Sequence, residues 1–437
     1  MLSATSRREI FLRILILSST PWSNDNSFGN SYSNIFEGIE NIEIANIYCR
    51  YGEPNNNVVS KHFQITEKSL LKNLVDKSYP SGQEIYQKEN IEKLNSSEKK
   101  LFDKVRVQRF QIYFWLRDII WKVGRWRSDN LRDFIDDFKP DIIFQPLYYS
   151  NYLNDIALFI KNYTKAPMVS YVSDDVYTMK QLSFSPLYWI DRIIKRKHIK
   201  KIVEQSEYLY VISDIQKREY EKIFKKECKV LTKGSDFSKE GTIKTNFNTP
   251  LKLVYTGNIG NKRWKTLSII AKQLQEINKK EVKAQLYIYS HTPINKKMSS
   301  QLNINKSSFF MGGVPAEDVA EIQKDADVLV HVESLKLREK LSVRQSFSTK
   351  LIDYFYSGRP ILAVGPTSVA SIDHLIRNNA AITASTEEEV YSKLNEMIND
   401  ESILVNTAKN GWECGKNNHQ ITNIQESLYY NLQQLLI

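Results

Sequence analysis

Short apolar runs alternate with stretches of helical periodicity along most of this 437-residue chain. In the first half, four runs have the length of buried strands: RILILSS (13–19), DIIFQPL (141–147), PMVSYVSDD (167–175) and YLYVIS (208–213). Strands that are apolar on both faces and separated by helices are typical of parallel sheets covered by helices on both sides. The alternation therefore predicts an α/β protein.

A second series of strand candidates follows residue 250: LKLVYTGNIG (251–260), KAQLYIYS (283–290), SSFFMGGV (307–314), ADVLVHVES (326–334), PILAVGP (360–366) and AAIT (380–383). The segment 234–250 between the two series has the Gly, Ser, Asn and Pro content of a linker. A chain of this length also exceeds one ordinary core. We therefore predict two doubly wound, Rossmann-like domains facing a central cleft, with residues 53–100 as irregular loop or exposed helix.

Composition narrows the class of protein. A hydrophobic fraction of 41% and a charged fraction of 25% are those of a soluble globular protein. The three cysteines, Cys49, Cys228 and Cys414, lie far apart, which argues against a disulfide framework or a zinc site. The apolar run 14–19 is too short to span a membrane and lacks the cleavage site of a signal peptide. We expect a cytoplasmic protein that needs no metal.

The net charge of +11 is concentrated in two blocks, 99–127 and 192–201, and the first of them also carries Phe, Tyr and Trp. Such blocks fit an anionic partner, and both a membrane surface and nucleic acid qualify. They equally fit amphipathic helices whose aromatic residues are in the core and whose charges are in water. Nucleic acid is disfavoured, because the charge is not laid out along one recognised module.

The stretch YTGNIGNKRWKTL (255–267) has the features of an anion site. Gly257 and Gly260 allow a tight turn and a close approach of the backbone to a ligand. Basic side chains, among them Arg263 and Lys265, stand where the next helix begins, and that helix end carries partial positive charge. The alternative interpretation is an ordinary glycine turn with exposed basic residues.

The stretch QSFSTKLIDYF (345–355) has a cation where one is unexpected. Ser348 or Thr349 would cap a helix, and Lys350 then falls in its first turn, where positive charge is disfavoured. A bound anion would remove this conflict. Asp353, one turn later, could accept the two vicinal hydroxyls of a ribose. The alternative is a capped amphipathic helix without a ligand.

Taken in order, YTGNIG…RWKTL, FFMGGVPAEDVAEIQKDADVLVHVES and STKLIDYFYSGRPILAVGP resemble the nucleotide-sugar-binding domain of retaining GT-B glycosyltransferases of the group four family. Within that group the chain is most similar to bacterial enzymes of capsule, O-antigen (lipopolysaccharide) and exopolysaccharide biosynthesis. The resemblance implies the GT-B fold, with an acceptor-binding domain in residues 1–240 and a nucleotide-sugar-binding domain in 250–415. It also implies a C-terminal helix in 416–437 that crosses back to the first domain.

The resemblance assigns donor contacts to the second domain. Arg263 and Lys265 would neutralise the diphosphate, and Asp353 would take the place of the second Glu of the Glu-x7-Glu motif. The first Glu of that motif falls on Gln345, a departure for which Glu333 could compensate. The implied donor-binding residues are Gly257, Asn258, Gly260, Glu333, Gln345, Ser348, Thr349, Lys350 and Asp353.

Candidate residues of the first half follow strand ends. The loop after the first strand, residues 19–34, stands where the family has a glycine-rich acceptor loop, which makes Gly29 and Asn30 acceptor candidates. Asp174 and Asp175 follow another strand, where many relatives place a histidine that touches the donor sugar. Carboxylates there could accept a hydroxyl proton or bind sugar hydroxyls, so both are catalytic candidates with Arg263 and Lys265. The alternative for one of the two is a helix cap.

Together these patterns predict a retaining hexosyltransferase that moves a sugar from a nucleoside diphosphate-sugar to a carbohydrate acceptor, with no cofactor. A lipid-linked oligosaccharide at the inner face of a bacterial membrane is the acceptor we expect, so the enzyme would be cytoplasmic and peripheral on that membrane. Two alternatives share the fold: a sugar-nucleotide epimerase, and a catalytically silent scaffold subunit.

Overall fold

The computed structural model of the chain describes residues 11–85, 111–239 and 241–437. Two parallel β-sheets form the two halves of the molecule, and helices cover both faces of each sheet. This confirms the predicted α/β architecture of two Rossmann-like domains. In the described part of the chain, no helix is both long enough and apolar enough to cross a membrane.

The first sheet has eight strands in the order β4-β3-β2-β1-β5-β6-β7-β8. Its strands are parallel except for β4, which runs antiparallel to β3 at one edge. The bounds are β1 Leu12–Ser18, β2 Ile42–Tyr48, β3 Lys61–Ile65, β4 Gly82–Ile85, β5 Ile142–Pro146, β6 Met168–Val172, β7 Leu209–Val211 and β8 Cys228–Val230. The prediction that residues 53–100 are loop or exposed helix is wrong for β3 and β4, whose short, polar sequences lie towards the edge of the sheet; residues 86–100 are outside the described chain.

The helices around the first sheet are α1 Ser27–Phe36, α2 Glu67–Val75, α3 Gln111–Val123, α4 Asp129–Phe138, α5 Asn151–Thr164, α6 Pro186–Gln205 and α7 Asp214–Phe224. Several begin at side chains that accept a hydrogen bond from the first turn, as Ser128 does for α4 and Ser213 does for α7. Apolar side chains on both faces of the sheet form two buried clusters.

The second sheet has six parallel strands in the order β11-β10-β9-β12-β13-β14. The strand bounds are β9 Leu251–Thr256, β10 Ala284–Tyr289, β11 Ser308–Gly312, β12 Val328–Val332, β13 Ile361–Val364 and β14 Ile382–Ala384. Its helices are α8 Arg263–Ile277, α9 Lys296–Leu302, α10 Val319–Lys324, α11 Leu337–Val343, α12 Lys350–Tyr356, α13 Ala370–Arg377, α14 Glu387–Asn399 and α15 Glu401–His419. Every strand predicted from the apolar runs of this half is present.

The chain returns to the first half at its end. Helix α16, Ile421–Gln433, packs against α1, and its Leu428 and Leu432 are buried in a core cluster of the first sheet. The start of α16 is fixed by backbone bonds between Ser235 and the segment around His419. The last helix therefore stabilises the first domain, although its sequence follows the second.

We expect Leu428→Ala to destabilise the protein. Leu428 is 1% exposed, and truncation of a buried leucine costs about 2–5 kcal/mol because it leaves a cavity. Leu436→Ala is the matched control, since Leu436 lies on the same terminal segment and is 38% exposed. Urea unfolding followed by tryptophan fluorescence measures both; equal loss in the two variants would contradict the packing described.

Candidate functional site

The carboxyl end of β9 leads into a turn that approaches another helix closely. Gly257 follows this strand with a φ of +134°, a conformation that L side chains rarely adopt. A Cβ atom added at Gly257 would lie 2.5 Å from Nζ of Lys350. Glycine at this position thus leaves room for the lysine side chain against the backbone. The sequence predicted both residues near one ligand, and the structure brings them into contact.

Lys350 is the first residue of α12, and its amine lies among protein atoms at the end of the sheet. Its Nζ donates to the Thr256 carbonyl at 3.0 Å and sits 4.6 Å from the centre of the Tyr255 ring. Burial, with the positive charge of Arg263, lowers the pKa of Lys350 to about 8. The carboxylates of Glu333 and Asp353 favour its charged form, but among the described residues none forms an ion pair with it. Such a desolvated cation is stabilised by an anion.

The same region holds a strong ion pair. Arg263, the first residue of α8, donates from Nε and Nη2 to the two carboxylate oxygens of Glu333, at 3.1 and 3.0 Å. Glu333 directly follows β12 and is 3% exposed, and Thr266 donates to its backbone carbonyl. The bidentate geometry fixes the start of α8 relative to the end of β12. Arg263 and Glu333, predicted as separate ligand contacts, bind each other.

A cavity of about 630 Å³ opens beside these residues, at the carboxyl ends of β9, β10 and β11. Gly257, Asn258, Lys350 and Asp353 line it, together with His291, which the sequence did not single out. Asp353 projects from α12 into this space, and desolvation raises the pKa of its carboxyl group above the usual value. The cavity thus has an amine and a carboxylate on one wall.

Three further donor candidates lie next to this cavity rather than on its wall. The backbone of Asn261 and Lys262 is left-handed, with φ of +50° and +59°, whereas that of Gly260 is not. The tight turn before α8 is therefore made by two residues that are not glycine. Lys265 lies along Trp264, with 5.6 Å between its Nζ and the ring centre. Ser348 donates its backbone N–H to Ser371.

The structure confirms Thr349, one of the two residues predicted, at the N-cap of α12, but without a side-chain cap. Thr349 occupies the N-cap position with a helical backbone, and its side chain makes no capping hydrogen bond. Thr349 instead lines a second cavity, of about 560 Å³, between the two domains. Helix α12 therefore lacks a side-chain cap at the end that carries Lys350.

The second cavity is bounded by α1 and by the ends of β5 and β6 on one side, and by Ser342 and Thr349 of the second domain on the other. Many tyrosines contribute to its wall: Tyr32, Tyr148, Tyr149, Tyr171 and Tyr188. Lys233 reaches the same space. The sequence analysis missed these residues, although the run PLYYSNY directly after a predicted strand was a signal for some of them.

The two carboxylates after β6, Asp174 and Asp175, lie in different environments. The Asp175 side chain is buried, accepts from Thr178 and pairs with Arg192 at 3.1 Å, so it is the turn-capping member of the pair. Asp174 is exposed in the second cavity and accepts from Ser346 at 2.6 Å. Only Asp174 is accessible to a ligand; for Asp175 the structural alternative, a cap, matches the geometry.

Gln345 is fully buried between the domains. Its amide donates to Glu219 at 2.5 Å and accepts from Gln216 at 3.3 Å. Both ends of the amide are therefore occupied by residues of the first domain. Glu219, which the sequence analysis did not identify, also binds Arg344 at 2.5 Å. The geometry gives no support to a contact of Gln345 with a donor sugar.

The sequence predicted Gly29 in a loop, but the structure places it in the first turn of α1. A Cβ there would lie 2.1 Å from the Ser23 carbonyl oxygen, so the glycine is needed for close packing of the chain on itself. Its backbone N–H is capped by Asn26. Asn30 is exposed and accepts from Lys233 at 3.0 Å. The loop after β1 is thus short, and α1 presents its first turns to the interdomain cavity.

Comparison with known proteins agrees with this arrangement. Residues 250–400 match the family model described as Glycosyl transferases group 1. HepE from Anabaena, in complex with UDP and glucose, is similar in structure with a TM-score of 0.60 at 9% identity, over 97% of this chain and 100% of that one. Sucrose-phosphate synthase from Thermosynechococcus elongatus has a TM-score of 0.62 at 11% identity, over 97% and 99%. TarM has a TM-score of 0.61 at 11% identity, over 96% and 98%.

At these identities the likeness to solved structures shows the fold alone, and that fold is GT-B. No curated protein matches the chain by sequence. The family match of the second domain, which contains Lys350 and the Arg263–Glu333 pair, indicates a glycosyltransferase.

We expect Glu333→Gln to lower the free energy of unfolding by about 2 kcal/mol or more, because it leaves the partly buried guanidinium of Arg263 without its counter-charge. Glu396→Gln is the matched control, since Glu396 pairs with Lys393 on an exposed helix face, where ion pairs contribute little. Urea denaturation compares the two. Equal stability of both variants would show that the pair does not hold α8 against β12.

Proposed function

We propose that the protein transfers a sugar from a nucleoside diphosphate-sugar to a carbohydrate acceptor, with retention of the anomeric configuration, as expected for the group four family. The observation that carries the proposal is Lys350, whose largely desolvated amine lies at the wall of a cavity and forms no ion pair with a carboxylate in the part of the chain that the structure describes. A diphosphate would supply the missing anion. HepE is similar in fold and has been crystallised with UDP, which supports this ligand class.

The donor would occupy the cavity at the ends of β9 to β11. Gly257 and Asn258 offer backbone close to the phosphates, and Asp353 offers a carboxylate for the ribose hydroxyls. Lys350, with the N-terminus of the 15-residue helix α8, would stabilise the charge that develops on the departing diphosphate. We infer that no cofactor is needed for this role.

The acceptor would bind in the interdomain cavity, among its tyrosines and beside Asp174. Tyrosine rings and hydroxyls suit the apolar faces and the polar edges of sugars. Asp174 would hydrogen-bond a sugar hydroxyl, and the departing phosphate would accept the proton of the attacking hydroxyl. Positioning and charge stabilisation then account for the rate acceleration without a covalent intermediate. We propose a lipid-linked oligosaccharide of a bacterial surface polysaccharide as the acceptor, and a cytoplasmic enzyme peripheral to the membrane.

The first test is thermal stabilisation of the protein by a panel of nucleoside diphosphates and their sugars. We expect one base to give a shift, and Lys350→Ala to weaken its binding by roughly ten- to a hundredfold, the contribution of a charge-assisted hydrogen bond. Lys272→Ala, on the exposed side of α8, is the control and should bind normally. No shift with any nucleotide would favour the silent scaffold, and conversion of the donor into an epimer would favour the epimerase.

The proposal also predicts a pH dependence. The pKa of Lys350 is about 8 without ligand, and only the protonated amine attracts an anion. Affinity for the nucleoside diphosphate should therefore be highest below that pH and fall as the pH rises through it, by at most about tenfold per pH unit. Titration calorimetry at a series of pH values measures this.

Lys350→Arg is the control for the pH profile, because arginine stays protonated over the whole range. Its affinity should change little with pH, whatever its absolute value. A decline of the same steepness in this variant would assign the titration to another group and contradict a role of Lys350 in binding the diphosphate.

A further inference from the structure

Helix α6 exposes apolar side chains that would ordinarily be buried. Leu187, Ile190, Ile193 and Ile194 are each between 42 and 49% exposed, and Phe184, just before the helix, is 93% exposed. Their spacing places them along one side of the helix. We call these five residues the α6 face. An exposed apolar surface of this kind on a protein marks an interaction site.

The opposite side of α6 is buried although it carries charges. Asp191 and Lys195 pair with each other at 2.9 Å, and Arg192 pairs with Asp175 at 3.1 Å. All four side chains are nearly inaccessible to solvent. Arg192 thus ties the helix to the turn at Asp175, whereas Asp191–Lys195 is a pair within the helix. Further along, Ile199, Ile202 and Val203 are buried in the core, so only the first half of α6 has charges on its inner side and apolar side chains on its outer side.

A neighbouring helix repeats the pattern. Trp115 of α3 donates to Asp191 of α6 at 3.1 Å, so the two helices are in contact. Leu116, Ile119 and Val123 of α3 are 50 to 56% exposed and share one side of that helix. The predicted basic block 99–127 falls only partly within the described residues; there, Trp121 is buried in the core while these aliphatic residues are exposed.

Positive charge adjoins both apolar surfaces. On α6, the exposed Lys197, Lys200 and Lys201 follow the α6 face along the helix. At the end of α3 and just beyond it, Lys122, Arg125 and Arg127 are exposed. Apolar side chains bordered by basic residues are the composition of helices that lie in the interface of an anionic membrane. Two copies of this surface would place like charges opposite each other, which disfavours self-association through it.

The α6 face also adjoins the interdomain cavity. Tyr188 and Arg192, on the same helix, line that cavity, as does Gln181 just before it. If α6 lay on a partner surface, the opening of the interdomain cavity would therefore lie beside that surface. An acceptor whose lipid tail remained in a bilayer could reach the cavity across this helix.

We propose that the α6 face, with the exposed side of α3, is the docking surface for an anionic phospholipid bilayer. The apolar side chains enter the acyl boundary, and the lysines and arginines contact lipid phosphates. The inference rests on the proposed function in one respect: the bilayer is taken to carry the lipid-linked acceptor. Binding of the surface itself requires no donor and no catalysis.

The test is cosedimentation of the full chain with vesicles of phosphatidylcholine, with and without phosphatidylglycerol. We expect binding to the mixed vesicles that weakens with added salt, and weak binding to phosphatidylcholine alone. Phe184→Ser combined with Ile190→Ser should weaken binding at least about tenfold, from the apolar area lost. Lys197→Gln combined with Lys201→Gln should weaken it by roughly fivefold for each lysine.

The control is Met311→Ser combined with Tyr391→Ser, which removes two large side chains of the second domain whose exposure, 49 and 46%, matches that of Ile190. It should bind vesicles like the wild type. All substituted positions are exposed, and thermal unfolding checks that each variant is folded. Wild-type indifference to phosphatidylglycerol, or equal binding by the α6-face and control variants, would overturn the proposal.

Two further readouts separate this proposal from its rivals. A nucleotide-induced thermal shift, measured on the same samples, should be unchanged in the α6-face variants; vesicle binding without any nucleotide shift would contradict the proposed function and leave the docking surface intact. Sedimentation velocity tests self-association. A dimer that dissociates in the α6-face variants, without vesicle binding by the wild type, would assign the surface to a second copy of the chain and overturn the bilayer.

Discussion

The desolvated amine of Lys350 is the constraint on which the arrangement of the second domain depends. Its position requires a glycine at 257, because any side chain there would collide with Nζ. It also lies close enough to Arg263 for the two positive charges to oppose each other, which contributes to the lowered pKa of Lys350. The Glu333 carboxylate neutralises Arg263 and favours the charged amine. The ends of β9 and β12 and the starts of α8 and α12 are thereby arranged around one cation, which forms no ion pair with a carboxylate of the described residues.

The pKa of His331 reflects its burial and the positive charge of Lys350 and Arg263. His331 lies on β12, is 1% exposed, and burial together with Lys350 and Arg263 lowers its pKa well below the usual value. The imidazole is therefore neutral, and its 3.9 Å approach to Glu333 is not an ion pair. The Glu333 charge remains available to Arg263. A neutral histidine beside two cations adds no further repulsion, so the positive potential at the site comes from the two residues that line or border the cavity.

The contact between the domains has an apolar and a polar part, and Ile212 of the first domain lies in a buried cluster with Phe347 and Leu351 of the second. Glu219 of α7 binds Arg344 and Gln345, and Asp174 binds Ser346, so residues 344–346 of the second domain are held by the first. The position of Thr349 across from the tyrosines of the first domain follows from these bonds. The shape of the interdomain cavity thus depends on these bonds.

Sequence patterns predicted β1, β5, β6 and β7 of the first sheet and all six strands of the second, and missed β2, β3, β4 and β8. For β3 and β4 the reason is physical. Strands such as β1 and β12 are apolar on both faces because helices cover them, and this makes a run that stands out. Strand β3, KHFQI, and strand β4, GQEI, carry polar residues towards the sheet edge and have no such run. For the site, local rules predicted the strand-end residue Gly257 and the helical residues Lys350 and Asp353 at a common cavity. Pairings between distant segments, such as Gln345 with Glu219 and Arg263 with Glu333, depend on the three-dimensional register of domains and had no local signal.

Helix α6 connects the two surfaces that the proposed reaction needs. Its inner side supplies Arg192, which holds Asp175 and so fixes the turn that presents Asp174 to the cavity. Its outer side carries the isoleucines. Buried charges occupy the inner face of the first half of α6, whereas Ile199, Ile202 and Val203 further along the helix are buried in the core. The exposed isoleucines of the first half would gain burial by contact with something outside the chain. A bilayer that covered them would stabilise the helix in the position it already occupies. Membrane contact and the geometry of the acceptor cavity would then be coupled through one rigid element rather than through a conformational change.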